Sequence, residues 1–138
     1  MAMPTPSEAK KFYRCAFQRY SDAQILLRAA HTTGAVYLAG YGIECILKAL
    51  ILSILAPAPR VEMLESFRGT IAHDYEWLRA RYFATGGTRF PREIIEAFTL
   101  VNDWSSEMRY WTVSLKVDEA ESFLAAAHTI IHWVDRRL

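Results

Sequence analysis

The chain has 138 residues, which is enough for one compact domain and too few for two ordinary ones. Apolar residues make up 52% of it and charged residues 22%, a composition that excludes wholesale disorder. Its 16 basic and 15 acidic residues nearly cancel, so no strong net charge marks a nucleic-acid, membrane or acidic partner. We therefore expect a single domain over residues 1–138.

The start of the chain and its cysteines bear on the cellular compartment. Residues 1–11 contain no hydrophobic segment, which predicts that they are not a signal peptide. The two cysteines, Cys15 and Cys45, form neither a disulfide framework nor a Cys-x-x-Cys metal pair. We interpret both as buried thiols of a cytoplasmic protein.

The first half of the chain predicts two antiparallel helices. Residues 7 to about 31 carry one apolar stripe at helical spacing, and residues 32–34 form a turn short enough to make a hairpin. The second helix, about residues 35–56, is apolar almost all round and must therefore be covered on most sides. Within it, Gly40 and Gly42 allow another backbone to come close.

The second predicted helix is also long enough to cross a membrane. Glu44 and Lys48 lie in its middle, however, and each charge is costly at bilayer depth. They are four residues apart with the acid first, which is the favourable order for a helical ion pair. We therefore predict a central helix of a soluble bundle and no membrane partner.

Shorter helices are predicted in the second half. One covers about residues 74–83, and another begins near Pro91. Residues 60–69 are a short helix or a loop, and residues 104–117 form a polar and aromatic connector. The last helix begins at Asp118, which forms a capping-box pattern with Glu121, and it has the clearest amphipathic pattern. Because no run alternates with period two, the predicted fold class is all-α.

A histidine pair in the last helix has the spacing of metal ligands. His128, His132 and Asp135 lie near one helix face. No glutamate directly follows His128, so the zinc-protease motif is absent, and no other cluster offers a further ligand. We interpret the histidines as surface or interface residues and predict no metal.

Arg68 and His73 have four residues between them. An arginine could bind phosphate while a histidine moves a proton, as RNA cleavage requires. The favoured alternative is that His73 and Asp74 cap and orient the helix that begins there. Arg68 and His73 are therefore the lower-ranked candidate site.

The connector contains a candidate ligand-binding group, Arg109, Tyr110 and Trp111. A guanidinium beside aromatic rings could hold a nucleotide base and its phosphate. Alternatively, Arg109 pairs with Glu44 or Glu107 and the tryptophans belong to the core. No Gly-rich phosphate loop, nucleophile elbow or dinucleotide fingerprint occurs, and no cofactor is predicted.

Several short motifs occur in a characteristic order. They are Glu-x-x-x-Lys-Ala-Leu at residues 44–50, His73-Asp74 followed by Leu78, and Arg109-Tyr110. In this order they resemble the HEPN domain (higher eukaryotes and prokaryotes nucleotide-binding) over nearly the whole chain. The resemblance implies an up-and-down bundle of four to five helices that forms a homodimer. Many prokaryotic members work beside a minimal nucleotidyltransferase in toxin–antitoxin or related defence modules.

The sequence departs from the family at one point that matters for activity. Many members are metal-independent ribonucleases, whose arginine and histidine, with four to six residues between them, meet at the dimer cleft. Arg109 matches that arginine, but Ser114, Leu115 and Lys116 stand where the histidine would fall. The resemblance therefore implies a non-catalytic protein that binds a nucleotide, RNA or a nucleotidyltransferase partner.

In this hypothesis Arg109 is the anion contact and Tyr110 or Trp111 the stacking surface. Two alternatives stay open. One is a metal-independent endoribonuclease that uses His73. The other is a purely structural interaction subunit, in which the 13% aromatic content serves an interface.

Overall fold

The computed structural model describes residues 6–138, and these residues form helices and no β-strand. The prediction for residues 1–11 therefore falls partly outside the described part of the chain. Two short 3-10 helices, Thr70–His73 and Ser106–Tyr110, accompany six α-helices: α1 (Ser7–Arg28), α2 (Thr32–Ser53), α3 (Pro57–Ser66), α4 (Tyr75–Ala84), α5 (Arg92–Val101) and α6 (Val117–Asp135). The all-α prediction is confirmed.

The turn between α1 and α2 lies earlier than the sequence predicts. Ala30 adopts a left-handed conformation with φ of 64°, and the His31 amide donates to the Leu26 carbonyl at 2.9 Å. This closure is typical of a helix end, although glycine is the usual residue at the left-handed position. Because alanine fills that position here, the pattern pointed to Gly34 instead, and α2 begins at Thr32.

Helix α2 is the centre of the bundle and contacts α1, α4 and α6. Each of its two glycines makes room for a different neighbouring group. A Cβ at Gly42 would lie 3.1 Å from the Ala16 carbonyl oxygen of α1, which confirms the predicted close approach of a backbone. At Gly40 the neighbour is instead a side chain, because the Trp104 ring occupies the space that a Cβ would need.

Helix α2 is long and apolar enough to cross a membrane, but 83% of its most apolar window is buried in the fold. Its two central charges pair with each other inside the protein, where the Lys48 Nζ and Glu44 Oε2 atoms are 2.8 Å apart. Both facts fit the core helix of a soluble bundle, as the sequence predicts.

The remaining helices complete the bundle around α2. Pro57 is the first residue of α3 rather than only the end of α2, and this position suits proline because its missing N–H is not needed there. Helix α5 packs against α6. The predicted capping box of α6 does not form, because the helix starts at Val117 and the Asp118 Oδ1 atom accepts from the Glu119 amide.

Candidate functional site

A cluster of three charged or titratable side chains, two of them buried, lies between α2 and the 3-10 helix at Thr70–His73. The Lys48 Nζ atom is 2.8 Å from the Glu44 Oε2 atom, and the His73 Nδ1 atom is 2.9 Å from the Glu44 Oε1 atom. The side chains of Glu44 and Lys48 are 2% and 6% exposed, whereas that of His73 is 37% exposed. The predicted Glu44–Lys48 pair is confirmed, and the histidine is an addition.

Aromatic rings support the buried ammonium group. The Lys48 Nζ atom lies 5.3 Å from the ring centre of Phe67 and 5.6 Å from that of Phe12. A ring face attracts a cation, so these contacts replace part of the hydration that Lys48 loses. The Glu44 carboxylate therefore keeps a charged partner in the core.

The carboxylate also orients the His73 ring. An ionised carboxylate can only accept hydrogen bonds, so Nδ1 of His73 carries the hydrogen in this contact. Nε2 is then the ring nitrogen that remains for a ligand. A histidine held by a carboxylate through one nitrogen is the arrangement that general acid–base chemistry uses.

His73 lines a polar recess with a volume of about 400 Å³. Arg79 also lines this recess. Its guanidinium stands 4.3 Å from the ring centre of Phe98, and both residues line a neighbouring apolar cavity. Partial burial lowers the pKa of Arg79, and the charges of Glu76 and Asp74 oppose that shift. The walls come from the 3-10 helix, α4 and the connector: Thr70, His73, Asp74, Tyr75, Glu76, Arg79, Asn102, Trp104, Ser105 and Ser106.

Stacked aromatic rings form the floor of this polar recess. The Trp104 ring stacks with both Tyr75 and Tyr37, with ring centres 5.3 Å and 6.0 Å away and nearly parallel planes. The Trp104 Nε1 atom donates to the Tyr37 carbonyl at 3.2 Å, and the Tyr75 hydroxyl donates to the Gly40 carbonyl at 2.8 Å. Only 8% of Trp104 is exposed, so the ring offers little open surface on which a base could stack.

The structure places Arg109, Tyr110 and Trp111 outside the wall of the polar recess. Arg109 is exposed and its guanidinium lies 4.9 Å from the Tyr110 ring centre. The neighbouring Tyr110 side chain raises the pKa of Arg109. Glu44 contacts Lys48 and His73, so it is not the partner of Arg109 that the alternative interpretation expected. Trp111 is 49% exposed and lines a separate apolar cavity of about 410 Å³.

The structure does not bring together the side chains of Arg68 and His73, the lower-ranked candidates. The Arg68 side chain is 79% exposed and reaches the Glu65 carboxylate at 3.8 Å, away from the polar recess. The expected cap is confirmed for Asp74, whose Oδ1 atom accepts from the Glu76 amide at 2.8 Å. His73 does not cap the helix but binds Glu44.

Arg79 is the functional candidate that sequence reasoning missed. Once Asp74 is taken as the cap of α4, Tyr75 and Arg79 are one helical turn apart and must share a face. That face packs Tyr75 against Gly40 of α2, which carries Arg79 towards His73. The spacing of Tyr75 and Arg79 already showed that they share one face of α4. Which part of the protein that face contacts could be known only from the packing of α4.

The two histidines of α6 lie against each other with their rings tilted by 36°. The rings of His128 and His132 have centres 4.0 Å apart, and burial, followed by the charge of His132, lowers the pKa of His128. The Asp135 carboxylate accepts from the Tyr13 hydroxyl at 2.8 Å. Within residues 6–138, no group of three or more His, Cys, Asp or Glu side chains is arranged to hold a metal ion.

The comparison with known protein families agrees with the sequence motifs that contain residues of this site. The family model of the HEPN domain matches residues 9–137, which include Glu44, Lys48, His73 and Arg109. Searches of curated proteins and of solved structures found no match. The family match extends over nearly the whole chain and agrees with the helical fold, so the chain belongs to the HEPN domain family.

Proposed function

We propose that this HEPN domain is a cytoplasmic, non-catalytic protein that binds a nucleotide or RNA through a phosphate group in the polar recess. HEPN domains have nucleotide- or RNA-related functions, so the family supports this class of ligand. The observation that carries the choice of site is that His73, held by Glu44, lies in one recess with Arg79.

The charges of the polar recess favour a ligand that carries both a phosphate and hydroxyl groups. Arg79 can bind a phosphate through two N–H groups, and Nε2 of His73 can donate to it when the ring is protonated. The carboxylates of Asp74 and Glu76 line the same recess and would accept from hydroxyl groups. A ribonucleotide carries both a phosphate and neighbouring hydroxyls, so it fits this recess better than a bare phosphate ion.

The burial of Trp104 also bears on specificity. Sequence-tolerant binding of bases usually depends on an open aromatic face. Here Trp104 stacks with Tyr37 and Tyr75 and is only 8% exposed. The polar recess would therefore recognise the sugar and phosphate, and we expect adenosine and cytidine monophosphates to bind with similar affinity.

Titration calorimetry with adenosine 5′-monophosphate tests this proposal. We expect Arg79→Gln to weaken binding roughly tenfold or more, because a charged hydrogen bond to phosphate contributes about 1.5–3 kcal/mol. His73→Asn should also weaken binding, since asparagine can still donate to Glu44 but lacks the nitrogen that faces the ligand. Inorganic phosphate should bind the wild type more weakly than the nucleotide does.

Two variants serve as controls for this titration. Arg81→Gln removes a charge from the same helix, where the guanidinium lies over Trp77 rather than in the polar recess, and it should leave the affinity unchanged. Arg109→Ala tests the connector. A loss of affinity with Arg109→Ala but not with Arg79→Gln would contradict the recess and favour Arg109, Tyr110 and Trp111 as the site. An absence of heat with the wild type would reject both.

A metal-independent endoribonuclease is the second candidate function, and the Glu44–His73 contact favours it. In RNA cleavage a base takes the proton of the attacking 2′-hydroxyl while a cation stabilises the charge on the phosphate. His73 and Arg79 could fill these two roles. Incubating RNA with the purified protein and EDTA decides the matter. If the wild type cleaves RNA and His73→Asn does not, the protein is a ribonuclease and the non-catalytic proposal is wrong. If the RNA stays intact with the wild type, the non-catalytic proposal is supported.

We also propose that the protein is a homodimer in which the connector meets its copy. Tyr110 and Val113 are 66% and 76% exposed, although apolar side chains are usually covered. The connector is held in place, because the Thr33 hydroxyl donates to the Val113 carbonyl. Light scattering at micromolar concentration should give twice the 15.8 kDa of one chain.

Val113→Asp should shift the protein to a monomer, because it buries a charge in the proposed interface. Val61→Asp is the matched control, since Val61 is 63% exposed on α3, and it should leave the dimer intact. A wild-type monomer would contradict the proposed dimer.

The family resemblance supports one protein partner, a minimal nucleotidyltransferase in a toxin–antitoxin or defence module. An adjacent reading frame for such an enzyme would support this partner. Copurification of the two proteins when both are expressed together would test it directly, and separate elution of both would count against it.

A further inference from the structure

An apolar groove lies between α4 and α5 and shares Arg79 with the polar recess. Its volume is about 450 Å³, a size that is typical of sites for small molecules. Phe83 of α4 and Ile95 of α5 line the groove and are 46% and 52% exposed. Solvent can therefore reach its apolar walls, and a ligand that covers them would gain free energy from their burial.

The inner part of the groove is aromatic. The ring centre of Phe90 lies 5.1 Å from that of Phe83 and 5.7 Å from that of Phe98. Phe90 and Phe98 are buried, so the core fixes their positions before any ligand binds. Aromatic rings pack well against one another edge to face or offset, so this surface suits a ligand with an aromatic ring.

The charged residues that line the groove are two arginines, Arg79 and Arg89. Asp74 and Glu76, which bring carboxylates to the polar recess, are not among the groove residues. The ion pairs formed within residues 6–138 involve neither Arg79 nor Arg89. Two guanidinium groups without a carboxylate partner give the groove a positive potential, which favours an anion.

Arg79 is already held at the groove. Its guanidinium stands over the Phe98 ring, 4.3 Å from the ring centre. A contact through the ring face does not use the N–H groups of the guanidinium, and two of them can bind one carboxylate in parallel. Because the ring contact limits the movement of the side chain, less conformational entropy is lost when an anion binds.

We propose that this groove is a binding site for a small carboxylate with an aromatic body. The carboxylate binds Arg79 and Arg89, and the aromatic ring packs against Phe83 and Ile95. This ligand differs from the nucleotide proposed for the polar recess, although Arg79 lines both sites. Arg89 lines only the groove, so its substitution separates the two sites.

Ligand-observed NMR titration with 4-phenylbutyrate tests the proposal. We expect saturation transfer from the wild-type protein to the phenyl protons. Three analogues serve as matched probes: 4-phenylbutan-1-ol lacks the charge, 4-phenylbutylamine reverses it, and butyrate lacks the ring. Each should bind about tenfold more weakly or less, because it loses either the charged hydrogen bonds or the buried apolar area. An alcohol or an amine that binds as tightly as the carboxylate would overturn the proposal.

Two pairs of variants locate the site. Arg89→Gln should weaken binding of 4-phenylbutyrate about fivefold or more, whereas Arg81→Gln, whose guanidinium lies over Trp77, should not change it. Ile95→Asp brings a carboxylate into the groove and should abolish binding. Leu100→Asp is its control, since Leu100 is 62% exposed on the same helix but lies outside the groove. Equal affinity of the wild type and Ile95→Asp would contradict the groove as the site.

The proposals for the groove and the polar recess can fail separately. Arg79→Gln should weaken both ligands, but Arg89→Gln should leave binding of adenosine 5′-monophosphate unchanged. If the wild type binds the nucleotide and not 4-phenylbutyrate, the groove proposal alone is wrong. Light scattering of Ile95→Asp then shows whether a second copy covers the groove, because this variant would be a monomer and the wild type a dimer. If 4-phenylbutyrate binds and the nucleotide does not, the groove proposal stands without the proposed function.

Discussion

Replacing Lys48 with methionine should lower the free energy of unfolding by about 3–5 kcal/mol. The substitution keeps the volume of the side chain but removes the charge that faces Glu44. The Glu44 carboxylate is 2% exposed and would retain only the contact with His73. Without Lys48, no opposite charge offsets the free-energy cost of removing the Glu44 carboxylate from water in the folded protein. In the unfolded chain water solvates this carboxylate, so the substitution destabilises the folded state. Urea unfolding at neutral pH measures this difference.

The double variant Glu44→Leu with Lys48→Met is the informative control. It removes both charges, and apolar side chains of similar volume often replace a buried pair without loss of stability. His73 would lose its partner but can reach water, since its side chain is 37% exposed. We therefore expect the double variant to recover most of the stability that the single variant loses. A cost below about 1 kcal/mol for Lys48→Met alone would show that the pair is already solvated.

An exposed pair gives the matched comparison. Arg92 and Glu96 are also four residues apart, with side chains that are 92% and 65% exposed. Removing Arg92 by Arg92→Ala should change the free energy of unfolding by about 0.5 kcal/mol or less, because water already solvates both groups. The contrast between the two pairs isolates the effect of burial.

Gly40→Ala should destabilise the protein by about 1–3 kcal/mol, although alanine is the better helix former. The reason is the Trp104 ring, which occupies the space that the new methyl group needs. That ring cannot easily shift, because it stacks with Tyr37 and Tyr75 and donates a hydrogen bond to the Tyr37 carbonyl. Thermal or urea unfolding of the variant checks the prediction.

A double-mutant cycle with Trp104→Ala tests this explanation. Trp104→Ala alone should cost about 3–5 kcal/mol, as expected for a large aromatic side chain removed from a core. In that background Gly40→Ala should no longer destabilise, because the clash is gone and the helix propensity of alanine adds about 1 kcal/mol. Additive costs in the double variant would mean that Gly40 is needed for a reason other than the ring of Trp104.

The sequence predicted those features that depend on neighbours along one helix. Glu44 and Lys48 are one turn apart, so their pairing follows from helical geometry alone. Asp74 precedes a helical pattern, and it forms the expected cap of α4. The start of α2 was missed because Ala30 takes a conformation that usually signals glycine. Rules that predict helix ends from residue type fail where an uncommon residue takes the required conformation, as Ala30 does here.

The candidate site could not be predicted in the same way. Its central contact joins Glu44 to His73, which are 29 residues apart, and Arg79 enters the polar recess only through the packing of α4 on α2. The family resemblance included His73 in one of its motifs but pointed to Arg109 as the ligand contact. In the structure the Arg109 side chain is exposed to solvent. Spacing likewise paired His73 with Arg68, and the structure separates them.

The sequence by itself determined the all-helical fold class, the central apolar segment with its charged pair, and membership in the HEPN family. These depend on periodicity, composition and short motifs, which are properties of the chain read in order. The tertiary structure alone decided that His73 and Arg79 line one recess and that Trp104 fills the space beside Gly40. Such contacts arise from how helix faces pack, and many sequences with the same local pattern allow different packing.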